Sequence, residues 1–376
     1  MAKIHHVKHI GNLIAGIFSF FIKSPSQKNK ISSIKKILII KIWGVGNIVL
    51  LIPILKKIRE QHKNSEIYFL TLDSNKGLLE NTPYITKVIY LRFTTNIFRI
   101  CYDFFRSLSC IRKLNIDLLL NFEQCNRISA IFSSLTKAKT SIGFELPGYV
   151  SLYTNTVKNN PCLHVSKNFV NLANAGGISI DKYEYIPFAT KASSKKNVEE
   201  ILKERSINNT TIVALHIGSG LNFTGKRWNN INFARLADEL IQRYSVAIAY
   251  TGTENERKLI EDTLSIMKHK ASNLCGKFTL DELVEFLSRC HIFISNDTGP
   301  LHIAISLRIN TVGLYGPMNP AQYGSLNKNS LSFYKPTGCS PCLTDLNNKT
   351  SFCNDRKCLD SITPEEILKE ISDRFF

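Results

Sequence analysis

The chain has 376 residues, 44% hydrophobic and 21% charged, a globular balance that excludes a disordered chain and supplies apolar mass for two cores. Its 48 Lys and Arg outnumber 30 Asp and Glu, leaving +18, so the expected partner is anionic: nucleic acid, a membrane surface or a phosphorylated substrate. The 10 cysteines are too sparse for a disulfide scaffold, and together with the lack of a long apolar run they point to a cytoplasmic protein.

Residues 1–33 form a basic extension without an acidic side chain, and an apolar run over 10–22 lies within it. That run is shorter than the about 20 residues a bilayer crossing takes. No small-residue cleavage site directly follows it, so a signal peptide fits poorly. The expectation is a helix lying on an anionic membrane surface; a helix packed on the body of the protein, or a frayed tail, is the alternative.

The first strand is expected at 36–43, an Ile/Leu run of the kind buried on both faces of a parallel sheet. A helix is expected over 48–61, strands at 66–71, 88–91 and 117–121, and a helix over 97–114. This alternation predicts a doubly wound α/β sheet. Beyond a charged segment at 191–205 the pattern restarts with a strand at 211–216, a turn at 218–220, a helix over 232–244 and a strand at 245–251. Helices over 255–268, 280–289 and 300–307 and strands at 292–295 and 311–315 follow. Thr363-Pro-Glu-Glu then opens a final helix over 363–376.

Two stretches carry candidate chemistry. After the 211–216 strand come Gly218, Ser219 and Gly220, then Thr224, Lys226 and Arg227. Glycine lets backbone amides approach a phosphate, and paired cations neutralise a diphosphate. A solvated surface loop is the alternative. The 292–295 strand runs into Asn296, Asp297, Thr298, Gly299 and Pro300 and then a helix. Capping alone explains these residues; anion binding at a helix N-terminus is the functional reading, favoured by the place ligands take in open α/β sheets. His302 follows by one helical step, either facing the site or as a satisfied half-buried histidine.

The blocks "ILIIKIWGVGNIVLLIPILKKIRE", "ALHIGSG…GKRWNNINFARLADEL", "YTGTENERKLIE", "NLCGKFTLDELVEFLSRCHIFISNDTGPLHIA" and "VGLYGPMNP" occur in the order seen in glycosyltransferase family 9, which the chain resembles from about 36 to its end. That family includes the ADP-heptose:lipopolysaccharide heptosyltransferases of Gram-negative bacteria. The resemblance implies a GT-B fold of two Rossmann-like domains facing a cleft, here 34–190 (acceptor) and 191–360 (donor), with 361–376 as a terminal helix. It also implies inverting transfer without a metal, an ADP-sugar substrate and no cofactor. Lys226 would sit on the donor diphosphate with Gly218, Ser219 and Arg227. Asn296, Asp297, Thr298, Gly299 and His302 would meet donor sugar and phosphate, and Glu256 the ribose. Trp43, Gly44, Gly46 and Asn47 would form the acceptor loop.

One departure bears on mechanism. The family's loop usually reads Gly-Asp where this chain has Gly46-Asn47, and that Asp resembles a general base. A neutral carboxamide cannot take a proton at neutral pH. Glu123, Glu145 or His164 would then supply the base, or positioning alone would sustain transfer, or the protein binds a sugar nucleotide without turnover. Asn47 could also cap the following helix.

Cys339, Cys342, Cys353 and Cys358 lie close in sequence; structural zinc and free structural thiols are the two readings. The expected partners are a nucleotide-sugar donor, a phosphorylated glycolipid acceptor and the anionic inner face of the inner membrane, contacted peripherally. No nucleic-acid signature accompanies the charge.

Overall fold

The computed structural model describes residues 33–92, 96–124, 126–146, 152–220, 224–344, 353 and 355–376. The apolar run at 10–22 lies outside them. The chain divides into two compact units, Met1–Glu184 and Tyr185–Phe376. Among the described residues no helix is long and apolar enough to cross a membrane.

The first unit is built on β1 (Lys36–Ile40), β2 (Glu66–Leu72), β3 (Lys87–Leu91), β4 (Leu118–Asn121), β5 (Thr140–Phe144) and β6 (Asn155–Val157), ordered β3-β2-β1-β4-β5-β6. Every neighbouring pair is parallel. Ile37, Leu38, Ile39 and Ile40 are fully buried, which is why β1 shows no polar alternation: it has a helical layer on each face. Helices Val45–Gln61, Ile97–Leu114, Arg127–Leu135 and Val165–Ala175 supply those layers. The first begins at Val45, not at residue 48, and Gly44 caps it with φ 88°, a conformation that favours glycine.

The second unit repeats the plan with β7 (Ile212–His216), β8 (Ala247–Thr251), β9 (Ser272–Asn273), β10 (Ile292–Asn296), β11 (Asn310–Tyr315) and β12 (Ser330–Tyr334), ordered β12-β11-β10-β7-β8-β9 and all parallel. The charged segment folds as helix Ala192–Glu204 and packs on helix Leu280–Ser288. There Thr190 donates to Glu285 at 2.8 Å, Asn197 to Glu282 at 2.8 Å, and Ser194 to Asp281. The final helix, Pro364–Phe375, is opened by a capping box between Thr363 and Glu366. It packs on helix Asn230–Tyr244 within the second unit, and the Phe376 ring stacks on Tyr244 at 3.8 Å.

In both sheets the chain lays down strands to one side of the first, then returns to build the other side. The order therefore reverses between β1 and β4, and again between β7 and β10. At such a reversal the loops leaving the two strands diverge and open a crevice at the carboxyl ends, where ligands bind in open α/β sheets.

Candidate functional site

At the carboxyl ends of β7, β8 and β10 the predicted loops of the second unit converge. Lys226 Nζ lies 2.7 Å from Asp297 Oδ2, with Lys226 partly exposed and Asp297 buried. His302 is also buried, its Nε2 4.0 Å from Asp297 Oδ1. Thr298 stands at the N-cap of helix Gly299–Ser306, and Pro300 occupies its first turn, where a missing N–H costs nothing. The Thr298 and Ser295 hydroxyls lie 3.0 Å apart. One edge thus presents a cation beside the N-terminus of a helix, a combination suited to an anion.

Asn296 is fully buried and serves as a clip. Its Nδ2 donates to the carbonyls of Ile217 and Gly218 at 2.9 and 3.2 Å, while its Oδ1 accepts the Trp228 amide at 2.9 Å. Trp228 is buried, and its indole donates to the Ile362 carbonyl at 2.9 Å. Asn296 therefore fixes the loop that carries Lys226 instead of facing a ligand. Arg227 also turns inward along its loop, donating to Ser219 Oγ at 3.0 Å and the Gly220 carbonyl at 3.1 Å.

Glu256 joins two loops of the second unit. Its Oε2 accepts the Thr253 amide and hydroxyl at 2.9 and 3.0 Å, and its Oε1 accepts the Gly220 amide at 3.1 Å. Burial alone would raise this carboxyl, but His216 and the Thr253 and Gly220 amides outweigh it and hold it below the ordinary value. His216 is itself pushed down by burial, hence neutral at neutral pH, and the amides do most of the work. Glu256 is thus a committed carboxylate that ties the 252–256 loop to the 218–220 turn.

This packing explains Gly218: a Cβ there would lie 1.8 Å from Glu256 Oε1. Gly218→Ala must push the carboxylate off its three donors, and we expect a stability loss of about 1–3 kcal/mol. Thermal melts of the two proteins test this; an unchanged melting point would show that Glu256 has room to move.

At the β1–β4 reversal of the first unit, Glu123 ties the loop leaving β4 to the one leaving β1. Its Oε1 accepts the amides of Ile42 and Trp43 at 2.6 and 2.8 Å, and its Oε2 lies 3.0 Å from Lys41 Nζ. Lys41 and Glu123 are 2% and 5% exposed, so this is a buried ion pair. Asn75 Nδ2 holds the same segment through the Ile42 carbonyl at 3.2 Å. The sequence hint for this pair is Lys41 itself, a charge directly following a fully buried strand, which demands a buried partner.

Beyond this anchor, Trp43 is 41% exposed and so is not a core residue. Gly46 is buried and Asn47 half-buried in the first helical turn; no side chain caps that helix. Glu145 is exposed at the end of β5, and His164 is a buried helix cap, with Nδ1 2.7 Å from Ser166 Oγ.

Among the described residues no group of three or more His, Cys, Asp or Glu is arranged to hold a metal ion. Cys339 is an exposed thiol and Cys358 a buried one. Burial first, then the neighbouring Cys342, Cys339 and Cys353, push the Cys358 thiol up to about 11, so it is protonated at neutral pH.

The model of glycosyltransferase family 9 (heptosyltransferase) matches residues 106–351, which include Glu123, Lys226, Glu256 and Asp297. Lipooligosaccharide heptosyltransferase 2 of Campylobacter jejuni is 31% identical over 168 residues, 44% of this chain and 51% of that protein; the chain therefore matches about half the length of this relative. Lipopolysaccharide heptosyltransferase 1 of Campylobacter coli is 23% identical over 90% of this chain and 99% of that one. The solved structure of Escherichia coli ADP-heptose lps heptosyltransferase II aligns with a TM-score of 0.72 at 16% identity, covering 91% and 98% of the two chains. At that identity the likeness speaks for the fold, which is GT-B. With the family's model matching the greater part of its sequence, the chain belongs to glycosyltransferase family 9, the heptosyltransferase family.

Proposed function

We propose that this protein is an inverting glycosyltransferase that moves a heptose from an ADP-sugar to a lipopolysaccharide-core glycolipid. The observation that carries the donor half is Lys226 held by Asp297 at 2.7 Å beside the N-terminus of helix Gly299–Ser306. The Campylobacter relatives and the Escherichia coli structure, heptosyltransferases by name, support the choice of sugar and acceptor class.

In this reading the donor diphosphate lies against Lys226 and the Gly299 and Leu301 amides. An acceptor hydroxyl attacks the anomeric carbon, the bond to the diphosphate breaks, and ADP leaves with the electron pair. Lys226 neutralises the charge that grows on the leaving oxygen, where a fixed cation acts most strongly. Asp297 keeps the ammonium in place, and Asn296, Arg227 and Glu256 fix the loops. The acceptor meets the 43–47 loop, at the inner face of the inner membrane.

The acceptor proton has no carboxylate at position 47. Glu123 is occupied by two amides and Lys41. Asn47 therefore positions the hydroxyl and leaves its proton to solvent. Asn47→Asp is expected to raise kcat by roughly tenfold or more, because a positioned general base typically contributes at least that much. The variant should fold at least as well, since the first turn of its helix has no acidic residue and favours one. The assay follows ADP release from ADP-heptose with a de-acylated core acceptor. No gain would mean that another group already takes the proton. Binding without ADP release by either protein would reject the transferase reading in favour of a sugar-nucleotide-binding protein.

A further inference from the structure

The helix Ile97–Leu114 carries a second feature that donor chemistry does not use. Phe98, Tyr102 and Phe105 are 83%, 66% and 57% exposed, and their spacing of four and three residues sets them in one stripe along the helix. The opposite side packs normally: Leu108 and Ile111 are buried in the core of the first unit, and the Phe104 ring meets Phe132 edge-on at 5.0 Å. Phe105 also meets Phe104 edge-on at 5.5 Å, and Phe98 and Tyr102 are the more exposed pair.

Arg99 and Arg106 are exposed and flank the stripe on one side, and Lys113 lies at its C-terminal end. The helix's one acidic residue, Asp103, is four residues from Arg99 and three from Arg106, on their flank, and is buried. An exposed aromatic ridge edged by cations with no surface carboxylate matches the interface of an anionic bilayer: rings at headgroup depth and cations on phosphate.

The structure assigns this face to docking on an anionic lipid surface. Charge argues against a second copy of the chain, because two-fold pairing of the stripe would bring like cations together. The assignment rests on the proposed glycolipid acceptor for its biological purpose, but its physical basis is independent of that reading.

The test uses the full-length chain with vesicles of phosphatidylethanolamine and phosphatidylglycerol, and with phosphatidylcholine vesicles as the neutral control. We expect sedimentation with the anionic vesicles, weakened by salt, and a loss of roughly tenfold or more in binding for the triple variant Phe98→Ser, Tyr102→Ser, Phe105→Ser. Because the three side chains are exposed, the triple variant should melt like the parent. Phe105→Trp provides a readout that does not depend on that variant: brominated lipid in the anionic vesicles should quench its added fluorescence well beyond the quenching of Trp43 and Trp228 in the parent.

Undiminished binding by the triple variant would overturn the assignment. So would an unquenched Phe105→Trp on vesicles that sediment the chain, or a lipid-free dimer that the triple substitution converts to monomer. Transfer assays separate this inference from the functional reading. Loss on vesicle-embedded acceptor with full activity on soluble acceptor supports both. Vesicle docking by a parent protein that transfers to neither acceptor rejects the enzyme reading and leaves the docking face standing.

Discussion

Lys226→Ala is expected to lower kcat/KM for the ADP-sugar by roughly a hundred- to a thousandfold, the scale on which removal of one fixed charge-stabilising donor acts. The ammonium is positioned before any ligand arrives: it lies 2.7 Å from Asp297 Oδ2, and its loop is clipped by Asn296 through the Trp228 amide. Its charge is therefore available to the leaving diphosphate without reorganisation. Steady-state kinetics on the variant check the size of the loss, and a thermal melt checks that the unit still folds.

A double-mutant cycle sharpens this result. If Asp297 acts by holding Lys226, Lys226→Ala with Asp297→Ala costs little more than Lys226→Ala alone. Additive losses would instead show Asp297 touching the donor independently.

Glu123→Ala is expected to destabilise the first unit by about 3–5 kcal/mol, the cost of leaving one member of a buried ion pair without its partner. Part of that loss falls on the backbone, because the carboxylate also accepts the Ile42 and Trp43 amides at 2.6 and 2.8 Å. Alanine removes the acceptor of three hydrogen bonds at once, from two amides and from a Lys41 ammonium that is 2% exposed. Glu123→Gln keeps an acceptor for the amides and should recover part of the loss. Denaturant titration measures both. A transferase assay on Glu123→Gln separates anchor from base. An anchor predicts a modest change that follows stability, whereas a base predicts a collapse of kcat in a protein that still folds.

The sequence made the doubly wound plan legible because its two central first strands are nearly pure Ile, Leu and Val. Ile37 to Ile40 and Ile212 to Leu215 are buried on both faces, and a continuous apolar run of that length between turn signals is what a central parallel strand requires. Of the edge strands β3 was legible, but β6, β9 and β12 were not. β6 carries only Asn155, Thr156 and Val157, and β9 only Ser272 and Asn273; such short polar pieces pair because a neighbouring strand offers them a ladder. Helices Arg127–Leu135 and Val165–Ala175 were not assigned either, although each is amphipathic.

At the candidate site, the converging loops were readable but the division of labour was not. Asn296 lies 68 positions from Trp228, and no local pattern reports a clip across that separation. Glu256 was readable as more than a ribose contact. Thr253 and Glu256 have the spacing of a capping box, and they form one. Glu123 appeared only as an acid in the right half of the chain. Its partner Lys41 becomes meaningful once β1 places it in the interior.

Donor binding at the edge of the second sheet, beneath Lys226, is the centre of the functional reading. A crystal structure of the protein soaked with ADP tests it most directly. The expected result is diphosphate oxygens within about 3.2 Å of Lys226 Nζ and of the Gly299 or Leu301 amide. Glu256 should keep its bonds to Thr253 and Gly220. A diphosphate bound at the 41–47 loop of the first unit, or bound in the second unit away from Lys226, would contradict it.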